Sequence, residues 1–433
     1  MTQTPPAAKT SRLAFVLRGR FGRFFANLGP GLITGAADDD PSGISTYSVT
    51  GAGFGYAPLW TAVVSFPLMA AVQIMCARLG MVTGLGLAGV IRRHYPRWIL
   101  WGACLLLVVA NVVNIAADLG GMGEVTALLT GVRPYYWTPL YAGTLVALLY
   151  WTSYRLIARI FKWLTLALFA YIAAAFLAHP DWRAVLHATF VPTVEWTGAY
   201  WATLVGILGT TISPYLFFWQ AAQEVEEEIA DGKETVAERE GASNRELRRS
   251  RNDVLTGMFF SNLVMYFIIL TAAATLHAHG KTTISTAREA AEALRPLAGA
   301  GAYWLFSLGL IGAGMLGVPV LAGSCAYAVA EAAGWVGSLE LHPPLAQGFY
   351  AVIAVAMAIG LALDYAGLNA VKMLFWSAVL NGALAPPLLV LVVLHTSRAD
   401  VMGERRNGPL LRSLGWICAG VMLAATIIMF ATV

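Results

Sequence analysis

Apolar stretches recur along the whole chain, separated by short polar or charged segments. Most are long enough to cross the roughly 30 Å hydrocarbon core of a bilayer as a helix. They predict eleven spans, near 28–53, 57–77, 98–128, 136–152, 160–178, 198–222, 254–277, 297–330, 346–363, 367–395 and 410–432. Two of them are interrupted. The first carries "DDDPSG", Asp38 to Gly43, and the sixth carries "GTTISPYLF", Gly209 to Phe217. Pro41 removes a backbone donor and disfavours helix at Asp40, while Gly43 permits unusual backbone angles. A broken helix in lipid frees N–H and C=O groups, which is tolerated where the backbone lines a cavity buried in protein. Spans one and six are equivalent in a five-plus-five repeat, and matched interruptions in two halves point to a transport site near mid-membrane. The expected organisation is a tail over 1–27 and one transmembrane domain over 28–432. That domain divides into a first repeat over 28–178, a second over 198–395 and an extra helix over 410–432.

Composition agrees with this reading. Of the 433 residues 58% are hydrophobic and only 12% charged, against roughly a quarter charged in soluble proteins. The chain reads as an all-α polytopic membrane protein. The tail has one short apolar run, "LAFVL", too short for a signal-peptide core. With the N-terminus in the cytoplasm, 22 of the 28 Lys and Arg residues fall in cytoplasmic segments and five in external loops. The positive-inside rule then places the C-terminus outside. A bacterial inner membrane is the expected location. The four cysteines, Cys76, Cys104, Cys325 and Cys418, lie in apolar stretches without paired spacing and read as free thiols. The mixed-charge loop from Glu224 to Asp253 reads as a solvated cytoplasmic helix and linker.

Three adjacent carboxylates within a span call for a partner. Like charges 4 Å apart repel by about 1 kcal/mol per pair in water and by more at lower dielectric, and intramembrane acids mark function by default. A divalent cation bound at Asp38, Asp39 and Asp40 would offset that repulsion. Thr210, Thr211 and Ser213 at the sixth-span break either add oxygen ligands or back-bond within their own helix. Asp118 in the third span is functional or a structural pairing. Asn381 completes the site or packs helices, and Asn114 reads as an interhelical hydrogen bond. Gln220 and Glu224 are placed to line an inward vestibule.

These residues resemble the Nramp family of divalent-metal transporters, with its LeuT-like inverted repeat. "NLGPGLITGAADDDPSG" is similar to the family's first helix, with Asp40 and Pro41 on its Asp-Pro pair. "RLGMVTGLGLAGVIRRHYP", "ANVVNIAADLGG" and "GILGTTISPY" resemble the stretch after its second helix, its third helix and its sixth. The departures fall on the metal site. The family's metal-binding asparagine is Gly43 here, its metal-binding methionine is Ser213, and its sixth-helix histidine is Tyr215. Two third-helix glutamates fall on Asn111 and Gly121, and the ninth span lacks the expected arginine pair.

Loss of the methionine removes a soft ligand that favours transition metals. The smaller residues leave a roomier, oxygen-only site that suits a partly hydrated Mg²⁺. Loss of the histidine and glutamates removes titratable groups a proton path would need. The pattern resembles the divergent branch of Nramp-related magnesium transporters, so the resemblance implies Mg²⁺ transport, with Mn²⁺ also passing, without proton coupling. The alternatives are a proton-coupled Mn²⁺ or Fe²⁺ carrier, an amino-acid carrier of the same fold, or a channel. Three aspartates at the break argue against holding a substrate carboxylate. No HExxH, GxSxG or paired intramembrane histidines suggest an enzyme. No cofactor and no nucleic-acid partner is expected; the metal is cargo and the lipid bilayer the surroundings.

Overall fold

Proline decides where the first span starts and where it breaks. In the computed structural model, which describes residues 29–153, 156–157 and 166–432, Pro30 opens helix α1 (Pro30–Asp38). Pro41 opens α2 (Pro41–Phe54). Only Asp39 (φ −85°, ψ 53°) and Asp40 (φ −70°, ψ 172°) leave the helix between them. Next come α3 (Trp60–Thr83), α4 (Leu87–His94), α5 (Arg97–Thr130), α6 (Pro134–Trp151), α7 (Ala170–Leu177) and α8 (Trp182–Phe190). The sixth span repeats the device of the first. Helix α9 (Gly198–Thr211) ends, Ile212 (φ −127°, ψ 56°) and Ser213 (φ −75°, ψ 134°) leave the helix, and Pro214 opens α10 (Pro214–Ala230). The chain continues through α11 (Asn244–Thr275), α12 (Ala302–Ala333), α13 (Gln347–Asp364), α14 (Ala370–Ser397) and α15 (Pro409–Thr432).

Among the described residues eight helices are long and apolar enough to cross a membrane. The other three predicted spans are the first, divided at its break, the 18-residue α6, and the helical stretch Leu166–Leu177. The predicted tail over 1–27 and the start of the fifth span at 160–165 lie outside the described residues.

The packing has the symmetry of an inverted repeat. Helices α1 and α2 of the first span run along α11 of the seventh, and α10 of the sixth runs along α3 of the second. Interchanging the two repeats interchanges these contacts. The long α5 packs on α12, α13 and α14, its fellow elements around the broken pair. Without a hydrophobic drive between helices in lipid, such contacts depend on close backbone approach at small residues. A Cβ on Gly35 would stand 2.4 Å from the Gly257 backbone, and one on Gly209 would stand 2.1 Å from the Ala378 carbonyl oxygen.

The four cysteines are buried free thiols. The acidic run at the end of the sixth span departs from the solvated helix expected of it. Helix α10 carries that run against α12 and the start of α11, burying Glu224, Glu226 and Glu228. Glu224 accepts from Gln220 Nε2 at 3.0 Å and Ser250 Oγ at 2.7 Å. Glu226 accepts from Tyr327 Oη at 3.0 Å and Ser338 Oγ at 2.8 Å, and Glu228 pairs with Lys233 at 3.2 Å. Charge patterning along the sequence does not reveal that Ser250, Tyr327 and Ser338 supply donors from outside this helix. Gln220 and Glu224 accordingly fill the seam between α1, α10 and α11. Gln220 Oε1 accepts from Thr34 Oγ1 at 2.6 Å, so they join α1 to α10.

Candidate functional site

At the first break Asp40 is the N-cap of α2, and its carboxylate faces several elements at once. Oδ1 accepts from Ser42 Oγ at 2.6 Å and from the Gly43 amide at 2.8 Å, satisfying a free N–H at the start of α2. Oδ2 accepts from Asn114 Nδ2 of α5 at 2.8 Å, and Tyr215 Oη of α10 lies 3.5 Å away. Tyr215 donates at 3.0 Å to the Ala37 carbonyl, one of those left free by the end of α1. Asn381 of α14 in turn donates to Asn114 Oδ1 at 3.4 Å. Behind Asp40 stands Gly317 of α12, where a Cβ would come within 3.0 Å of the Asp40 Cβ. Asp40 is thus held by the first, third, sixth and eighth spans together.

The other two aspartates turn elsewhere. Asp38 Oδ2 accepts from Ser261 Oγ of α11 at 2.6 Å, and Asp39 Oδ1 lies 3.4 Å from the same hydroxyl. Asp38 Oδ1 is buried with no hydrogen-bond partner. Asp118 accepts from the Ser42 amide at 3.2 Å through Oδ1, while its Oδ2 is buried and unpartnered. Among the described residues no three His, Cys, Asp or Glu side chains converge closely enough to hold a metal ion. The three adjacent carboxylates therefore form two groups in this conformation, Asp40 with α5 and α10, and Asp38 with Asp39 on α11.

The sixth-span hydroxyls spend their protons on their own helix. Thr210 and Thr211 donate to the Ile207 carbonyl, each at 2.9 Å, and Ser213 donates to the carbonyls of Gly209 and Thr210 at 2.7 Å. At Gly43 the missing side chain faces Tyr47, whose hydroxyl would lie 3.5 Å from a Cβ there, as would the Asp38 carbonyl oxygen.

Asp38, Asp39, Asp40 and Asp118 are all buried, at 0%, 4%, 2% and 0% exposure. None of the ion pairs among the described residues involves them. Buried charge without a counter-charge is expensive in a membrane. Among the described residues these four buried carboxylates have no basic side chain paired with them.

Sequence patterning missed Ser261, whose signal was a Ser-Asn pair, Ser261 and Asn262, inside an otherwise apolar run. It read Asn114 as an interhelical hydrogen bond without naming the acceptor, which in the structure is Asp40. Asn114→Ala is expected to lower metal uptake about tenfold, the order of a lost hydrogen bond to a charged group. Asn114→Asp is expected to fail to restore it. Measuring uptake in proteoliposomes against the amount of folded protein checks both.

The fold and the paired breaks define a membrane transporter of LeuT-like architecture. The chain superimposes on MhsT, solved in complex with L-phenylalanine, with TM-score 0.61 at 12% identity over 93% of this chain and 98% of that one. It superimposes on the Eremococcus coleocola manganese transporter with TM-score 0.73 at 19% identity over 96% and 87%. Residues 31–432 match the family described as Nramp, natural resistance-associated macrophage protein-like. The chain belongs to the Nramp family. Among its curated relatives, the divalent metal cation transporter MntH of Deinococcus radiodurans is 28% identical over 96% of this chain and 92% of its own length. The protein of that name from Caldanaerobacter subterraneus is 28% identical over 99% of both.

Proposed function

We propose that this protein carries divalent cations across the membrane, with Mg²⁺ as its main substrate and Mn²⁺ as a second, and without coupled proton movement. The observation that carries the reading is the set of four buried carboxylates at the first break, without a basic partner among the described residues. The ion binds partly hydrated at Asp40. Thr210, Thr211, Ser213 and the backbone at Gly43 supply oxygens or room, and Asp39 and Asp38 add charge from the α11 side. Relatives named for divalent metal cations and for manganese support the cation class. Asp40 retains the family's charged ligand, while Ser213 and Gly43 replace its soft and bulky ones. Mg²⁺ takes oxygen ligands and sheds water reluctantly, so a site of this kind lowers the dehydration it must undergo.

Helices α1 and α10 are the half-helices whose displacement would open the site. The charge asymmetry places the N-terminus in the cytoplasm and the C-terminus outside. The repeats over 28–178 and 198–395 move against each other. A second reading rests on Asp118, whose buried and unpartnered Oδ2 is suited to take a proton; it would make the protein a proton-coupled Mn²⁺ or Fe²⁺ carrier. Proteoliposome uptake of Mg²⁺, Mn²⁺ and Ca²⁺ with an internal pH dye separates the two. Mg²⁺ uptake with constant internal pH is expected. Metal-driven acidification, or Mn²⁺ uptake indifferent to a large excess of Mg²⁺, would replace this reading with the second.

One thioether lies beside the break. A Cβ on Gly314 would stand 2.4 Å from Met122 Sδ and 3.2 Å from Pro41 Cγ. If selectivity rests on oxygen ligands, Met122→Leu leaves the Mg²⁺ to Mn²⁺ uptake ratio unchanged, since this swap conserves volume. A drop in Mn²⁺ uptake alone would make the sulfur a ligand.

A further inference from the structure

Away from the broken helices, a cleft of about 590 Å³ opens between α3, α11 and α15. Its wall is apolar, formed by Phe66, Ala70 and Ile74 of α3, Leu255 of α11, and Leu410 and Leu414 of α15. Its mouth is cationic: Arg78, Arg248, Arg251 and Arg405 line it against a single acid, Glu404. None of these five side chains makes an ion pair within the described residues. Arg248 and Arg251 are exposed and one turn apart on α11. Arg78 donates through Nη2 to the carbonyls of Arg405 and Arg406, and its Nε is buried with no acceptor. Arg405 donates to the Asn244 side chain.

The two chemistries lie at two depths. Helix α11 reads "NRELRRSRND" up to Asp253 and turns apolar from Val254, and α15, after Arg412 and Ser413, is apolar from Leu414. The arginines therefore stand where the apolar spans begin, with the greasy wall deeper. A soluble anion would leave that wall uncovered, and a lipid without net negative charge would leave the excess of positive charge at the mouth uncompensated. We infer that this cleft binds an anionic phospholipid of the surrounding leaflet, its phosphate between Arg78, Arg248, Arg251 and Arg405 and an acyl chain along α3 and α15. Basic pockets between transmembrane helices on the arginine-rich side are suited to such headgroups, and guanidinium groups to their phosphate oxygens. On the charge-based orientation this is the cytoplasmic leaflet. The site does not depend on which cation the protein moves.

Native mass spectrometry of the detergent-solubilised full chain tests this. Dioleoyl phosphatidylglycerol is expected to be retained about tenfold over dioleoyl phosphatidylcholine. The double variant R248Q/R251Q removes two exposed charges and leaves the fold intact. It is expected to lose at least about five-fold in phosphatidylglycerol binding, on the order of one arginine's contribution at a membrane surface. R245Q, an exposed arginine of α11 that does not line the cleft, serves as control and is expected to bind as the wild type does. Equal retention of the two lipids, or a double variant that binds like R245Q, would overturn the assignment. So would displacement of phosphatidylglycerol by millimolar inorganic phosphate, which would make this a soluble-anion site.

Discussion

Asp40→Ala is expected to cut divalent-cation uptake by about 100-fold or more while leaving the protein folded. Asp40 is the acid whose carboxylate touches α2, α5 and α10 together, so an ion bound to it would contact both halves of the fold. Truncating one partner of a buried charge contact costs about 2–5 kcal/mol, which at tenfold per 1.4 kcal/mol supports the stated loss. Stability changes much less. The substitution removes the N-cap of α2, worth about 1 kcal/mol, and takes one negative charge from a group of four. Asp40→Asn keeps the volume and an oxygen for the cap, so it separates charge from capping. If charge carries the function, Asn transports as poorly as Ala. Uptake by Asp40→Ala at the wild-type rate, with a matched elution profile, would show that the ion binds elsewhere.

The second large effect is a change of selectivity. Gly43→Asn combined with Ser213→Met is expected to raise Mn²⁺ over Mg²⁺ uptake about tenfold, chiefly by losing Mg²⁺. A thioether is a poor partner for a hard ion and a good one for a transition metal, and both larger side chains occupy space that hydrating water would use. Gly43 accommodates a Cβ at ordinary contact, 3.4 Å from Tyr47, so the asparagine enters without forcing the backbone. At Ser213 the present hydroxyl turns back to its own helix. A longer side chain cannot follow it there and projects from the non-helical segment before Pro214. Competition of Mg²⁺ against Mn²⁺ uptake in wild type and double variant measures the shift. An unchanged ratio would remove these two positions from the selectivity argument.

The spans and breaks were legible along the chain because they depend on local chemistry. Helix length follows from apolar run length. The two breaks follow from Pro41 and Pro214, which lack a donor and constrain the residue before them. Even the symmetry of the two interruptions could be read from their place in the order of spans. The placement of the aspartates could not. Consecutive residues at a helix end need not face the same neighbours, and whether they share one ion depends on what the neighbouring helices present. Ser261 draws Asp38 and Asp39 toward α11, and Asn114 holds Asp40.

The same division runs through the rest of the molecule. Charge counting described the end of the sixth span as solvated, yet Ser250, Tyr327 and Ser338 bury its glutamates from as far as 112 residues away. The arginine-lined cleft likewise joins residues of three spans that no local pattern links. Periodicity, proline and charge act over a few residues and thus determined the spans, the breaks and the acidic character of the site by sequence alone. Which carboxylate faces which partner was decided only in the tertiary structure, because hydrogen-bond donors and close glycine crossings act across helices rather than along them.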